Sequence, residues 1–187
     1  MKVLVIGSGG REHAIAYALH KSPKVTEIHA IPGNPGIAEI GTCHSGSVED
    51  LDGILKFVED HDIDFTVIGP EVPLCMGLAD LLEAHGHRVF GPTKQAATLE
   101  GSKAFSKDFM ARHNIPTAAY QEVNSYDEAI QALAKFSYPV VVKADGLAAG
   151  KGVFICEDEK MAKDTLKEMM IDGSLDGAGS KVVLEEF

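Results

Sequence analysis

The chain has 187 residues, 45% of them apolar and 24% charged, with a formal net charge of −11. This is enough apolar material for a packed core and fits one large domain or two small ones. The acidic balance, with no basic stripe or tail, excludes a general nucleic-acid or acidic-membrane binder, and no apolar run approaches the roughly 18 residues of a membrane span.

Lys2–Ile6 is a short β-branched run stopped by Gly7-Ser8-Gly9-Gly10, and it carries no signal-peptide core. A helix follows with Ile15, Ala18 and Leu19 on one face. Thr26–Ile31 reads as a second strand, closed by the turn-rich Pro32-Gly33-Asn34-Pro35-Gly36. Leu51, Ile54, Leu55 and Val58 have helical spacing. Phe65–Ile68 is a third strand ending in Gly69-Pro70, Leu74–Ala84 is helical, and Arg88–Phe90 is a fourth strand ending in Gly91-Pro92. Strands alternating with helices through short connections predict a parallel sheet covered on both faces, with ligands at the carboxyl ends of its strands.

A second unit starts after a helix over Ser102–Arg112. Ser125-Tyr126-Asp127-Glu128 reads as a capping box for a helix packing Ala129, Leu133 and Phe136. Pro139–Lys143 is a strand, Gly146–Gly152 a glycine-rich loop, and another strand runs through Ile155. Residues 158–170 form a helix, and Lys181–Phe187 is a last strand, on which the chain is expected to have been cut. Cys43, Cys75 and Cys156 are odd in number and lack C-x-x-C spacing, so free thiols in a reducing, cytoplasmic setting are expected.

Two loops carry the chemistry. Gly7-Ser8-Gly9-Gly10-Arg11-Glu12 lies between strand and helix, where backbone N–H groups and the helix dipole favour an anion. It fails as a dinucleotide fingerprint because Glu12 stands at the third glycine position and no acid ends the second strand. A phosphate or phosphosugar, or merely a tight strand–helix turn, fits it better. Asp145-Gly146-Leu147-Ala148-Ala149-Gly150-Lys151-Gly152 is not a Walker loop: Asp145 stands where that motif needs Gly, and Gly152 where it needs Ser or Thr. Strand–loop–strand context makes it a flap able to close on phosphates through backbone donors. Lys143 ends a valine-rich strand and needs an anionic partner or an escape to water. A lysine–phosphate pair at about 4 Å is worth roughly 4 kcal/mol at an effective dielectric near 20, so a few local lysines outweigh the overall negative charge.

Together, Met1–His13, Pro32-Gly33-Asn34-Pro35-Gly36, Gly69-Pro70-Glu71, Gly91-Pro92 and Val141–Val153 resemble the phosphoribosylamine–glycine ligase family of ATP-grasp ligases, over the whole chain. Members are roughly twice this length, so the resemblance implies an amino-terminal part. It implies an α/β fold: a parallel-sheet, Rossmann-like pre-ATP-grasp domain over 1–101, a connecting helix and linker over 102–123, and a small α+β ATP-grasp subdomain over 124–187.

The family activity implied is ATP-dependent ligation of glycine to 5-phosphoribosylamine through a glycyl phosphate, with magnesium or manganese. The implied partners are these small molecules, without nucleic acid or membrane. Gly9, Gly10 and Arg11 are implied near the 5′-phosphate and Glu71 on the ribose hydroxyls, with Asn34, Pro35 and Gly36 as a pocket wall. Lys103 and Lys143 match phosphate-contacting lysines. Gly146, Leu147, Ala148, Ala149, Gly150, Lys151 and Gly152 match the flap, and Glu185, Glu186 and Phe187 the strand whose backbone pairs with adenine. Metal ligands are expected beyond Phe187, since Glu185 and Glu186 point to opposite faces, and the polypeptide by itself is expected to lack ligase activity. A non-catalytic nucleotide- or phosphosugar-binding module and another ATP-grasp carboxylate ligase are the alternatives. His85-x-His87 lacks the further ligands a zinc site needs.

Overall fold

The structure, a computed structural model, describes residues 1–147, 151–173 and 178–187. It divides into two compact units, Met1–Ala97 and Thr98–Phe187.

The first unit runs β1 (Lys2–Gly7), α1 (Gly10–His20), β2 (Glu27–Pro32), α2 (Pro35–Ala38), β3 (Thr42–Cys43), α3 (Leu51–Asp60), β4 (Phe65–Ile68), α4 (Glu71–Met76), α5 (Leu78–Ala84) and β5 (Val89–Phe90). Its strands form one sheet in the order β3-β2-β1-β4-β5, every pairing parallel. β1 is central and lies buried on both faces, which explains its unbroken apolar run. Leu4 and Ile6 pack with Ile54, Val58, Leu78 and Leu82 on one side, while Val5 packs with Ala16, Ile28 and Ile37 on the other.

Three local expectations change. Ala18 is exposed; α1 instead buries Glu12 and Ala16, with Leu19 packed alongside, because Glu12 is drawn inward by the Gly9 N–H and the Arg11 guanidinium. The helix expected over Leu74–Ala84 starts earlier and breaks at Gly77, whose φ of 104° ends α4 and starts α5. The loop after β2 contains one helical turn, capped by Asn34 with Pro35 in its first turn.

α6 (Lys94–Gly101) runs across the point of division. The second unit then contains α7 (Lys103–Arg112), β6 (Tyr120–Val123), α8 (Tyr126–Leu133), β7 (Val140–Ala144), β8 (Val153–Cys156), α9 (Glu159–Met170), a 3-10 turn (Ala178–Ser180) and β9 (Val182–Glu186). Its sheet is antiparallel throughout, in the order β6-β9-β7-β8. Val140, Val142, Ala144, Val182 and Leu184 face a core closed by Ala129, Leu133, Ala162, Leu166 and Met169 from α8 and α9.

β6 falls where the sequence suggests linker. Tyr120-Gln121-Glu122-Val123 has a single fully buried apolar residue, and only pairing with β9 makes it a strand. Ser125 caps α8 by accepting from the Glu128 N–H, but the Glu128 carboxylate accepts from Asn124 N (2.8 Å) rather than closing the box on Ser125 itself. Asp158 caps α9, accepting from Met161 N at 2.8 Å. Among the described residues no helix is long and apolar enough to cross a membrane, and the cysteines form no disulfide.

Candidate functional site

The carboxyl edge of the first sheet is organised around one buried carboxylate. Glu12 is 3% exposed; its Oε2 accepts from Gly9 N (2.6 Å) and its Oε1 from Arg11 Nε (2.7 Å). Gly7, Gly9 and Gly69 close around it: an added Cβ would stand 2.7 Å from its Cγ, 2.9 Å from Oε2 and 2.3 Å from Oε1, respectively. The glycines of the loops after β1 and β4 are therefore required by close approach to Glu12. The residue that spoils the dinucleotide pattern occupies the anion position at the N-terminus of α1 with its own carboxylate.

Asn34 ties in the loop after β2. Its Nδ2 donates to Ser8 O (2.9 Å) and Gly9 O (3.2 Å), and its Oδ1 accepts from Ile37 N (2.9 Å). Pro35 opens α2, and Gly36 lies against His13, whose Cε1 would be 2.4 Å from an added Cβ. Glu71, in the first turn of α4, reaches Arg11 Nη2 at 3.4 Å. The structure thus brings Gly9, Gly10, Arg11, Asn34, Pro35, Gly36 and Glu71 to one edge. The Gly9 N–H is already held by Glu12. This leaves the N–H groups of Gly10 and Arg11, which have no intrahelical partner, and the half-exposed Arg11 guanidinium as donors. An open depression of about 460 Å³ beside this edge is bounded in part by Gly10, His13, Tyr17, Gly36 and Glu39.

The second unit presents a different surface. Residues opposite one another in an antiparallel ladder share a face, so register places Tyr120, Glu185, Val183, Val141, Lys143, Ile155 and Val153 on the side away from α8 and α9. Lys143 lies on β7, and its Nζ pairs with Glu185 Oε2. Lys107 of α7 pairs with Glu185 Oε1 and donates to Thr117 Oγ1 at 2.6 Å. Their side chains are 25%, 10% and 8% exposed for Lys143, Glu185 and Lys107, so the charge opens outward at Lys143. Beside it, Val153 and Ile155 are 47% and 45% exposed, an apolar strip on an otherwise packed sheet.

Lys103 opens α7 and donates through Nζ to Gly146 O (3.1 Å). Asp145 clips the same helix end: its Oδ1 accepts from Ala104 N (2.7 Å), and the Ser102 hydroxyl lies 3.1 Å from each carboxylate oxygen. Asp145 stands where a Walker loop has glycine, and this cap is what the carboxylate does there. Of the expected flap, Gly146 and Leu147 are half-buried, Lys151 is exposed, and Gly152 O accepts from Ala144 N (2.8 Å); Ala148, Ala149 and Gly150 lie outside the described residues. Glu186 and Phe187 are exposed, and the Glu186 N–H donates to Ala119 O (3.0 Å).

Burial raises the Glu185 pKa, but hydrogen bonds from Lys107 and Lys143 together outweigh it and hold the carboxyl below its ordinary value. Burial pulls the Lys103 ammonium below the usual lysine range; Asp145 and Glu100 oppose this, and Lys143 adds to it. No group of three or more His, Cys, Asp or Glu among the described residues could hold a metal ion. Glu185 is unsuited to one, since each of its oxygens already meets an ammonium. Sequence reasoning missed Glu12, Lys107 and the cap made by Asp145. Lys107 does follow Lys103 by four residues and so shares its helix face, which is a signal the sequence contains.

An open parallel sheet with a glycine-lined edge, followed in the chain by an antiparallel sheet that bears a lysine on one of its strands, defines the amino-terminal half of an ATP-grasp protein. The model of the phosphoribosylglycinamide synthetase N domain matches residues 1–100, and that of the ATP-grasp (A) domain of the same synthetase matches 101–187. The chain belongs to the phosphoribosylglycinamide synthetase family.

Phosphoribosylamine–glycine ligase of Clostridium acetobutylicum is 46% identical over 187 residues, covering all of this chain and 45% of that protein. The Xanthomonas campestris ligase is 49% identical over 189 residues, covering 44% of its length. The crystal structure of the Thermotoga maritima ligase matches with a TM-score of 0.81 at 35% identity, covering 100% of this chain and 44% of that one. The biotin carboxylase domain of a Hydrogenobacter thermophilus carboxylase, crystallised with MgADP, ADP and bicarbonate, shares the fold at 21% identity and a TM-score of 0.78, again over 100% of this chain and 44% of that one. The chain spans less than half the length of these relatives.

Proposed function

We propose that this chain supplies a nucleotide-phosphate surface and a phosphosugar surface of an ATP-dependent carboxylate–amine ligase that joins glycine to 5-phosphoribosylamine. The observation that carries the reading is the outward ammonium of Lys143, anchored by buried Glu185 beside the exposed strip of Val153 and Ile155. A purine with its phosphates needs an apolar surface for the base and fixed cations for the charge, and both lie on this sheet face. In phosphoryl transfer from ATP to a carboxylate, cations at the transferring group stabilise charge that develops in the transition state. Lys143 and Lys103 are the cations this chain offers, with the Gly146 carbonyl accepting from Lys103.

Metal chemistry of the magnesium or manganese kind belongs to this reading, but no set of described residues fits the ion. On the first unit, the Gly10 and Arg11 N–H groups and the Arg11 guanidinium take a phosphate, and Glu71 accepts from ribose hydroxyls. Asn34 acts by locking the Ser8-Gly9 backbone.

Titration of ATP, and separately of ribose 5-phosphate, into the isotopically labelled 187-residue chain tests this by NMR. ATP is expected to shift the Val153 and Ile155 methyl signals saturably, and Lys143→Ala to abolish the shift. Ribose 5-phosphate is expected to move the Gly10, Arg11 and Glu71 signals instead. ATP shifts that survive Lys143→Ala unchanged would overturn the nucleotide assignment.

A further inference from the structure

Lys107 is a costly residue where it stands. Burying an ammonium forfeits its hydration, and replacing a whole buried ion pair by apolar side chains of similar volume is often neutral or stabilising. Its three N–H donors are nevertheless matched by three acceptors: Glu185 Oε1, Thr117 Oγ1 at 2.6 Å and Ala118 O at 3.5 Å. The Tyr120 ring lies beneath it, with the centroid 5.7 Å from Nζ. Lys143, by contrast, has one hydrogen-bond partner among the described residues, Glu185 Oε2, and is the more exposed of the two lysines. Glu185 is thus gripped from the buried side by a lysine with every donor engaged, and from the open side by a lysine with donors to spare.

We propose that Lys107 is a positioning residue: it clamps Glu185 so that the second carboxylate oxygen holds the Lys143 ammonium at the open sheet face, ready for the polyphosphate of a nucleotide. The inference rests on the nucleotide reading of this face. A flexible lysine at a strand end loses side-chain entropy when it orders on an anion, and a carboxylate fixed from behind removes much of that cost before the ligand arrives. The clamp acts through geometry, so restoring the charge balance without the carboxylate does not restore its effect.

The test compares Lys107→Met, the double variant Lys107→Met/Glu185→Gln, and Lys143→Ala, with ATP binding read from the Val153 and Ile155 methyl signals. Lys107→Met is expected to weaken ATP binding by about tenfold or more, the scale of one charge-assisted contact. The double variant keeps the net charge of the trio and leaves no unpaired buried carboxylate. It is expected to unfold near the wild-type midpoint yet bind ATP as weakly as Lys107→Met, whether or not the single variant folds well. Without ligand, the Glu185 carboxyl carbon, followed by NMR, is expected to titrate at higher pH in Lys107→Met than in the wild type. Recovery of binding in the double variant, or an unmoved Glu185 titration, overturns the clamp. If Lys143→Ala also binds as the wild type does, the nucleotide reading has failed; if Lys143→Ala alone weakens binding, the reading stands and only the role of Lys107 is lost.

Discussion

Replacing Gly69 by alanine tests whether Glu12 organises the first unit. The new Cβ would stand 2.3 Å from Glu12 Oε1, 2.5 Å from Cγ and 2.6 Å from Cδ. Glu12 cannot swing aside, because Gly7 and Gly9 crowd it and both oxygens are bonded, to Gly9 N and Arg11 Nε. Relief therefore requires breaking a bond to a charged acceptor, about 1.5–3 kcal/mol, or absorbing overpacking of about 1–3 kcal/mol. A loss of roughly 1–3 kcal/mol is expected, a sizeable share of the 5–15 kcal/mol that typically holds a domain together. Hydrogen exchange of the Val3–Ile6 amides at the centre of the sheet reads the stability of this unit without mixing in the other. Gly10→Ala is the control: its Cβ would meet nothing within 4 Å, and the change is expected to fall within about 0.5 kcal/mol. Equal protection in the two variants would falsify the role given to Glu12.

Asp145→Ala removes the acceptor of the Ala104 N–H and the partner of the Ser102 hydroxyl. A loss of about 1–2 kcal/mol is expected, the usual cost of a helix cap, together with faster amide exchange in the first turn of α7; unchanged exchange there would refute the cap. A second prediction concerns acid. His44 packs with His29, His61 and Phe57, its Nε2 3.0 Å from His29 Nδ1. Glu27 Oε2 lies 3.5 Å from His29 Nε2, an ion-pair distance without hydrogen-bond geometry, and Lys2 Nζ donates to His61 O. Burial, then repulsion from His29 and His61, lowers the His44 pKa below its ordinary 6.5. The unfolded chain therefore binds the proton first, and stability falls as pH drops below about 6.5 towards the folded pKa. Urea midpoints measured across that range are expected to slope less steeply for His44→Asn; identical slopes would remove His44 as the cause.

Much of the architecture was readable because the pattern is local. β1, β2, β4 and β7 are largely apolar runs ended by glycine, proline or a turn, and α3, α8 and α9 have regular apolar spacing. β3 and β6 were not readable: Thr42-Cys43 is too short for a pattern, and Tyr120–Val123 acquires its identity from β9, some 60 residues further along. At the site, the glycines, Arg11, Lys103 and Lys143 stood out as residue types suited to anions. Their supports did not, because a buried glutamate and a buried lysine read in sequence as solvated helix residues. The two residues that break the familiar phosphate-loop patterns, Glu12 and Asp145, proved to be the ones that satisfy helix N-termini from within the protein.

Residue order alone determined the alternation of strand and helix, and placed glycine-containing turns at the ends of β1, β2, β4, β5 and β7. Those properties follow from backbone sterics and apolar periodicity, which act over a few residues. Tertiary structure alone decided that Lys107 and Lys143, 36 positions apart, share the two oxygens of Glu185, and that Gly69 must lack a side chain because Glu12 fills its space. Close approach and charge pairing depend on distance in space, and only the packed chain sets that distance.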